Sequence, residues 1–468
     1  MTNLFEMSAS QIATAIRQRV VGPVEVVAAH IGRMEKVDRR LNAVVTPTFE
    51  RARDEARRAQ RMLDEHGEDD LPPLFGVPIT VKDCWPVAGV RTTGGSWYLR
   101  DHIADEDAEP VRLLRRAGAI ILGKTNMPDM CWSGETHNLL FGRTHNPHRR
   151  GFTAGGSSGG EGAIIAAGGS PLGLGSDAAG SVRIPSAANG CTALKPTAGR
   201  IPTGGHLPQF PPQLDGWNTA GPLARRIEDL TLALRVLSKT PVRDVGSIGL
   251  SGRSCTVSLN RLLLPVHGEV VRAVDLAAET LREAGMEVVP ADDLSLKELA
   301  YIYVGLIRRY GHPALRTALG GGRPYRLWRE VVRNLAGRGR ISPHVLGFVC
   351  SLDLLGLASQ MRGLASFERL AHYRNQTLEY LGNGGVLLCP VLTTRVPRHH
   401  WIWTVAVRPP YTTMFNAMGL PAAVVPVGSD RRGLPLAVQV VAGPGEDEVA
   451  LAVAAELERA HGGWRLAN

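Results

Sequence analysis

Three short segments carry residues that could act together on a carbonyl group. The first is Gly155-Gly156-Ser157-Ser158-Gly159-Gly160-Glu161-Gly162. Read alone, it is a glycine-rich loop that permits close backbone approach. It lacks the Gly-Lys-Ser/Thr ending of a phosphate cradle. It contains a formal GxSxG pattern with Ser157 central, the spacing of a nucleophile elbow. The second segment is Gly175-Ser176-Asp177-Ala178-Ala179-Gly180-Ser181-Val182-Arg183-Ile184-Pro185, which begins 18 residues beyond Ser157. The small residues before Ser181 leave backbone N–H groups able to converge on one point, as a developing oxyanion requires. The third element is Lys82 in Val81-Lys82-Asp83. A lysine inside an apolar strand loses hydration when charged, so burial favours the neutral amine, a usable general base. A lysine at a strand end can equally reach solvent.

These residues need elements to position them. The segment 77–83 reads as a buried strand, 108–117 as a helix and 119–126 as a strand. The Gly/Ser run opens a small-residue helix, and 171–177 reads as the next strand. Alternation of this kind predicts an α/β fold: a mixed, largely parallel central sheet covered by helices on both faces. The first 65 residues read as a helical region, with a capping box at Ser8 and Gln11, a second helix opened by Pro23, and a charged helix over 49–66. A strand near 248–250, a helix over 269–284 and a strand over 286–290 make another α/β unit. Strands over 384–391 and 421–428 and a last helix over 446–460 return to the core. The layout is one domain over 1–468, with a more helical lobe inserted at 240–380 and bordering the pocket.

The three segments together resemble the amidase signature family. VKD around Lys82, GKTN at 123–126, GGSSGGEG at 155–162, GSDxxGSVRxP at 175–185 and LKPTxGR at 194–200 carry the likeness. GPLARRIEDL at 221–230 and the segments at 416–426 and 433–439 extend it. The resemblance implies a serine, cis-serine, lysine triad on Ser181, Ser157 and Lys82. Neutral Lys82 would take the Ser157 proton, Ser157 would take that of Ser181, and Ser181 would attack an amide carbonyl. The N–H groups of Ala178, Ala179, Gly180 and Ser181 would hold the oxyanion. Ser158 is a further member of the network, Asp177 and Arg183 an ion pair holding the loop, and Cys131 and Trp132 part of the acyl-binding wall. The family usually carries glycine where this chain has Ala179. A positive φ there would strain an alanine by about 1–2 kcal/mol.

Two other readings use the same residues. One is an A-type subunit of a glutamine-dependent amidotransferase, although Glu161 looks more like the stand-alone and fatty-acid-amide branches. The other is an α/β-hydrolase esterase with Ser157 as nucleophile, which needs a later histidine such as His399 or His461. His399, His400, Trp401 and Trp403 form a polar–aromatic cluster that could border the pocket mouth.

Composition bounds the rest. A chain of 468 residues, 44% hydrophobic and 21% charged, can bury a substantial core. Its 53 glycines and 31 prolines exclude a coiled coil. No run of 18 apolar residues occurs and the start shows no secretory pattern, so neither a membrane span nor export is expected. Six cysteines without a CxxC pair read as reduced thiols of a cytoplasmic protein, with no metal site and no cofactor. The net charge of +9 rests on 47 arginines and only six lysines. Residues 308–340 hold nine arginines against Glu330 alone, a solvated helical face or a docking surface for an anionic partner. No nucleic-acid signature is present. The expected partner is a small-molecule amide, with a homodimer compatible.

Overall fold

The Ser8 hydroxyl accepts the Gln11 N–H, and the Gln11 side chain accepts the Ser8 N–H, so the expected capping box starts helix α1 (Ala9–Arg17). Pro23 opens α2 (Pro23–Leu41), which buries Val26, Val27, Ile31 and Met34. Before the charged α3 (Phe49–Glu65) comes a strand the sequence reading missed, β1 (Val44–Pro47). Four residues are too few for a periodic signal. The computed structural model describes residues 3–65, 71–259, 265–291, 296–400 and 411–467.

Next come β2 (Pro78–Lys82), α4 (Glu109–Arg116) and β3 (Ile120–Thr125), close to their expected bounds. A two-residue ribbon, β4 (His137–Asn138) with β5 (Gly142–Arg143), precedes α5 (Gly159–Ala166) and β6 (Leu172–Asp177). Then follow α6 (Arg183–Asn189), β7 (Thr192–Lys195), β8 (Thr219–Ala224) and α7 (Ile227–Leu237). The strand expected at 248–250 lies later, at β9 (Ser254–Val257). Ile248 and Leu250 are half-buried against the core from a loop that turns through the Arg253 N–H to Leu250 carbonyl bond, so apolar residues in alternation read as a strand there. The unit continues with α8 (Gly268–Glu283) and β10 (Glu287–Pro290).

A helical stretch follows: α9 (Leu296–Leu306), α10 (His312–Leu319), α11 (Leu327–Leu335), α12 (Pro343–Met361) and α13 (Phe367–Leu381). The chain returns through β11 (Val386–Pro390), α14 (Thr413–Ala417), β12 (Ala422–Ser429), β13 (Pro435–Ala442) and α15 (Asp447–His461). Among the described residues the main sheet has 11 strands in the order β1-β3-β2-β6-β8-β7-β12-β13-β11-β9-β10. It is mixed: β3–β2–β6 and β11–β9–β10 are parallel blocks, and antiparallel pairings join them. Leu122, Ala193 and Leu223 pack under α2 and α5 on one face. Ile79, Val81, Val425 and Val438 pack under α4, α7, α8 and α15 on the other. β9 and β10 belong to this sheet, and α9 and α13 pack on it through Leu299, Ile302, Leu370 and Leu381 against Leu387, Cys389 and Val441.

In that helical part the arginines of 308–340 are mostly exposed, and Arg309, Arg316, Arg329 and Arg340 lie over Tyr310, Tyr325, Trp328 and Tyr98. Glu330 is buried, and α11 exposes Trp328, Val331, Val332 and Leu335. Helix α12, at 19 residues and mean hydropathy 1.3, is long and apolar enough to cross a membrane, contrary to the expectation drawn from uninterrupted apolar runs. His344, Ser351, Asp353, Ser359 and Gln360 interrupt its apolar residues and hide it from that criterion.

Candidate active site

Side chains alternate along β2, which decides where Lys82 points. Ile79 and Val81 enter the apolar core on one face. Thr80 and Lys82 face α5: the Thr80 hydroxyl donates to Glu161 at 2.6 Å, and Lys82 Nζ lies 2.7 Å from Ser157 Oγ. Lys82 does not reach solvent; it is fully buried. Its second contact is Ser176 Oγ at 2.9 Å. β2 and β6 are parallel, with Val81 opposite Leu174, so their C-terminal ends place Lys82 beside Ser176. Ser176 was not singled out from the sequence; the register between these strands is the signal that finds it.

The Gly/Ser run enters α5 through a cis peptide bond between Gly156 and Ser157. A Cβ on Gly160 would lie 2.5 Å from the Asn126 nitrogen, so only glycine lets α5 sit against the end of β3. The Ser158 N–H donates to the Ser181 carbonyl at 3.1 Å, which docks the two serine segments. The Ser158 hydroxyl contacts the Ser176 backbone at 3.4 Å, so it braces β6 instead of joining the Lys82–Ser157 contact.

The carbonyls of the loop after β6 are each held by a donor. Asp177 O takes Asn416 Nδ2 at 2.9 Å, Ala178 O takes the Tyr303 hydroxyl at 2.9 Å, and Ala179 O takes Thr412 Oγ1 at 2.6 Å. Gly180 O takes the Ile184 N–H at 2.7 Å. Fixed carbonyls fix the peptide planes and hence the direction of the intervening N–H groups. One expected donor is corrected: the Gly180 N–H already donates to Asp177 Oδ1 at 2.6 Å. Ala179 lies outside the positive-φ residues, and the position that needs glycine is Gly180, at φ 111°. The alanine is therefore unstrained.

Asp177 and Arg183 pair as expected, through two contacts of 3.0 Å, with both side chains fully buried. Arg183 also reaches Gln439 at 3.2 Å and Asn416. Burial pushes the Asp177 carboxyl up, but the Arg183 guanidinium more than reverses this and holds it well below the usual carboxylate range. Glu161 is the opposite case. Burial outweighs the hydrogen bonds from Thr80 and Thr125 and pushes its acid up to about 8. Lys124 lies beside this site but pairs with Asp83 at 3.1 Å, unlike Lys82 between its two hydroxyls.

Cys131 is half-buried, with Sγ 3.8 Å from Ser176 Oγ, and Trp132 packs against the apolar clusters around Tyr303 and Leu315. The histidines needed by an esterase reading lie elsewhere: His399 faces His145 at 3.3 Å, and His461 faces Thr280 at 3.0 Å. His400 meets His344 at 2.9 Å. Trp401 and Trp403 lie outside the described residues.

The Amidase family model matches residues 25–451. Fatty-acid amide hydrolase 2-A of Danio rerio is 35% identical over 486 residues, covering 99% of this chain and 90% of that protein. Indoleacetamide hydrolase of Bradyrhizobium diazoefficiens is 32% identical over 477 residues, covering 98% and 87%. The solved structure of 6-aminohexanoate cyclic dimer hydrolase is 26% identical, with a TM-score of 0.80 and full coverage of both chains. A bacterial aryl acylamidase of the amidase signature family, also 26% identical, has a TM-score of 0.78 over 97% of this chain and 96% of its own.

Proposed function

Starting from the fact that this chain belongs to the amidase family and is an amide hydrolase, we propose that it cleaves carboxamides through a Ser181 acyl-enzyme with Ser157 and Lys82 as the proton relay. The observation that carries this reading is the buried Lys82 amine, 2.7 Å from Ser157 Oγ and otherwise in contact with a hydroxyl. Neutral Lys82 accepts the proton of Ser157 while Ser157 accepts that of Ser181, and Ser181 Oγ bonds to the carbonyl carbon. The N–H groups of Ala178, Ala179 and Ser181 hold the oxyanion, since that of Gly180 is committed to Asp177. As the C–N bond breaks, Ser157 gives its proton to the leaving nitrogen and regains one from Lys82. Water then repeats the sequence, and the acid leaves.

The acyl group is apolar in this reading. Trp132, on the segment beside Ser176, packs against apolar side chains of the helical lobe from α9 to α13, which borders the pocket. The relatives named fatty-acid amide and indoleacetamide hydrolases favour the same choice over an amidotransferase subunit. Ser181→Ala and Lys82→Ala each lower kcat by about 10^4-fold or more on a long-chain or aryl amide, with the thermal transition retained. A fluorophosphonate labels Ser181, as read by peptide mass. Label on Ser157, or unchanged turnover in both variants, overturns the assignment.

A further inference from the structure

Cys84, Cys131 and His206 are distant in sequence, yet their Sγ and ring-nitrogen atoms lie within 4.8 Å of one another. Cys84 follows β2, Cys131 follows β3, and His206 lies in the loop before β8. His206 is buried, with its ring edge-on to Trp85 at 4.7 Å. Its Nδ1 lies 2.7 Å from the Pro208 carbonyl, an acceptor only, so Nδ1 carries the proton. Its Nε2 faces Cys131 Sγ at 4.0 Å. A backbone carbonyl fixing the far nitrogen is the arrangement by which metal-binding histidines are oriented. Both sulfurs also approach one hydroxyl: Ser176 Oγ is 3.5 Å from Cys84 and 3.8 Å from Cys131. Donor atoms around a tetrahedral thiolate-bound cation stand about 3.8 Å apart, so a small inward movement brings this set to binding geometry. His206 also lines a cavity of about 200 Å³ with Gln209, Phe210 and Asn218.

We propose that Cys84, Cys131 and His206 form a site for a thiophilic divalent cation of the Zn2+ class, with its fourth position toward Ser176, and that filling it arrests the enzyme. Two thiols and a neutral imidazole bind one cation and release two protons. The resulting site is neutral, because two thiolates cancel the metal charge. The arrest follows from Ser176: its hydroxyl touches Lys82 at 2.9 Å, and recruitment toward the cation removes one of the contacts that hold that amine. This second half rests on Lys82 acting as the base, whereas the binding itself does not.

Anaerobic titration with Co2+ tests the binding without any assay of turnover. The expected result is one equivalent bound, with a thiolate-to-cobalt charge-transfer band, about two protons released, and displacement by Zn2+. His206→Ala and Cys84→Ser weaken the binding by more than about tenfold. If a variant fails to fold, alkylation of the unaltered protein decides: bound Zn2+ shields Cys131 from iodoacetamide and leaves Cys350 reactive. No charge-transfer band, a band undiminished in both folded variants, or no shielding of Cys131 overturns the site. Turnover of the unaltered enzyme falls at least tenfold with Zn2+ and returns with a chelator. Full turnover with the band saturated overturns the arrest alone.

Discussion

Lys82, Lys124 and Lys195 are all fully buried, and each has a different partner. Lys124 meets the Asp83 carboxylate, Lys195 meets the Pro196 carbonyl, and Lys82 meets two hydroxyls. Burial, reinforced by the Arg183 charge, brings the Lys195 amine down to about 7. Glu161, on α5 below Lys82, sets a pH dependence that can be measured. Its acid ionises near 4.5 when exposed and near about 8 in the fold, so the folded chain holds a proton that the unfolded chain has lost. Stability from this group is complete below 4.5 and falls as pH rises to about 8. Glu161→Gln, which mimics the neutral acid, therefore flattens that decline by a few kcal/mol, on the order of the shift itself. Urea unfolding across this pH range checks it, and parallel curves for the two proteins contradict it.

At the scale of elements, the site is assembled where two parallel strands end and one helix begins. β2 delivers Lys82, β6 delivers Ser176 and Asp177, and the tight approach of α5 brings Ser157 down onto them. The loop from Asp177 to Ser181 is held by donors from distant elements, among them Tyr303 on α9 and Asn416 on α14. Gly180 is the hinge of that loop. A Cβ there would fall 2.2 Å from Thr412 Oγ1, and its φ of 111° disfavours any other residue. Gly180→Ala costs at least about 1–2 kcal/mol from the dihedral alone. The collision with Thr412 displaces the Ala179 peptide, so kcat falls more steeply than stability. Paired measurements of kcat and thermal midpoint distinguish this from a loss of fold.

Across the whole molecule, buried polar networks join segments far apart in the chain. Arg200 meets Asp447 at 2.8 Å and Glu448 at 2.6 Å, and the Thr197 N–H donates to Asp447 at 2.8 Å. Both carboxylates are buried at the start of α15, so this cluster clamps the loop after β7 to the C-terminal helix. Arg200→Ala leaves buried Asp447 without its paired cation and Glu448 with only Arg243 at 4.0 Å, a loss of about 3–5 kcal/mol. Urea denaturation reads it as a lower midpoint with an unchanged slope. A change below 1 kcal/mol, about the worth of an exposed pair, contradicts the clamp.

Local signals in the chain were enough for the elements around the site. The capping box at Ser8, the apolar run ending in Lys82 and the glycines before α5 each act over a few residues, so their effect is written in consecutive sequence. The motifs that carry the family resemblance placed Lys82, Ser157 and Ser181 among the candidates for the same reason. What the chain order could not express is adjacency across the sheet. Ser176 meets Lys82 only because β2 and β6 pair in one register, and Cys84, Cys131 and His206 meet only because three loops end at one edge. The Gly180 N–H is lost to Asp177, and Ala179 keeps an unstrained backbone, through dihedral angles that composition does not encode. Burial, register and peptide orientation are properties of packed neighbours, and those neighbours lie tens to hundreds of residues away, so only the tertiary structure decided them.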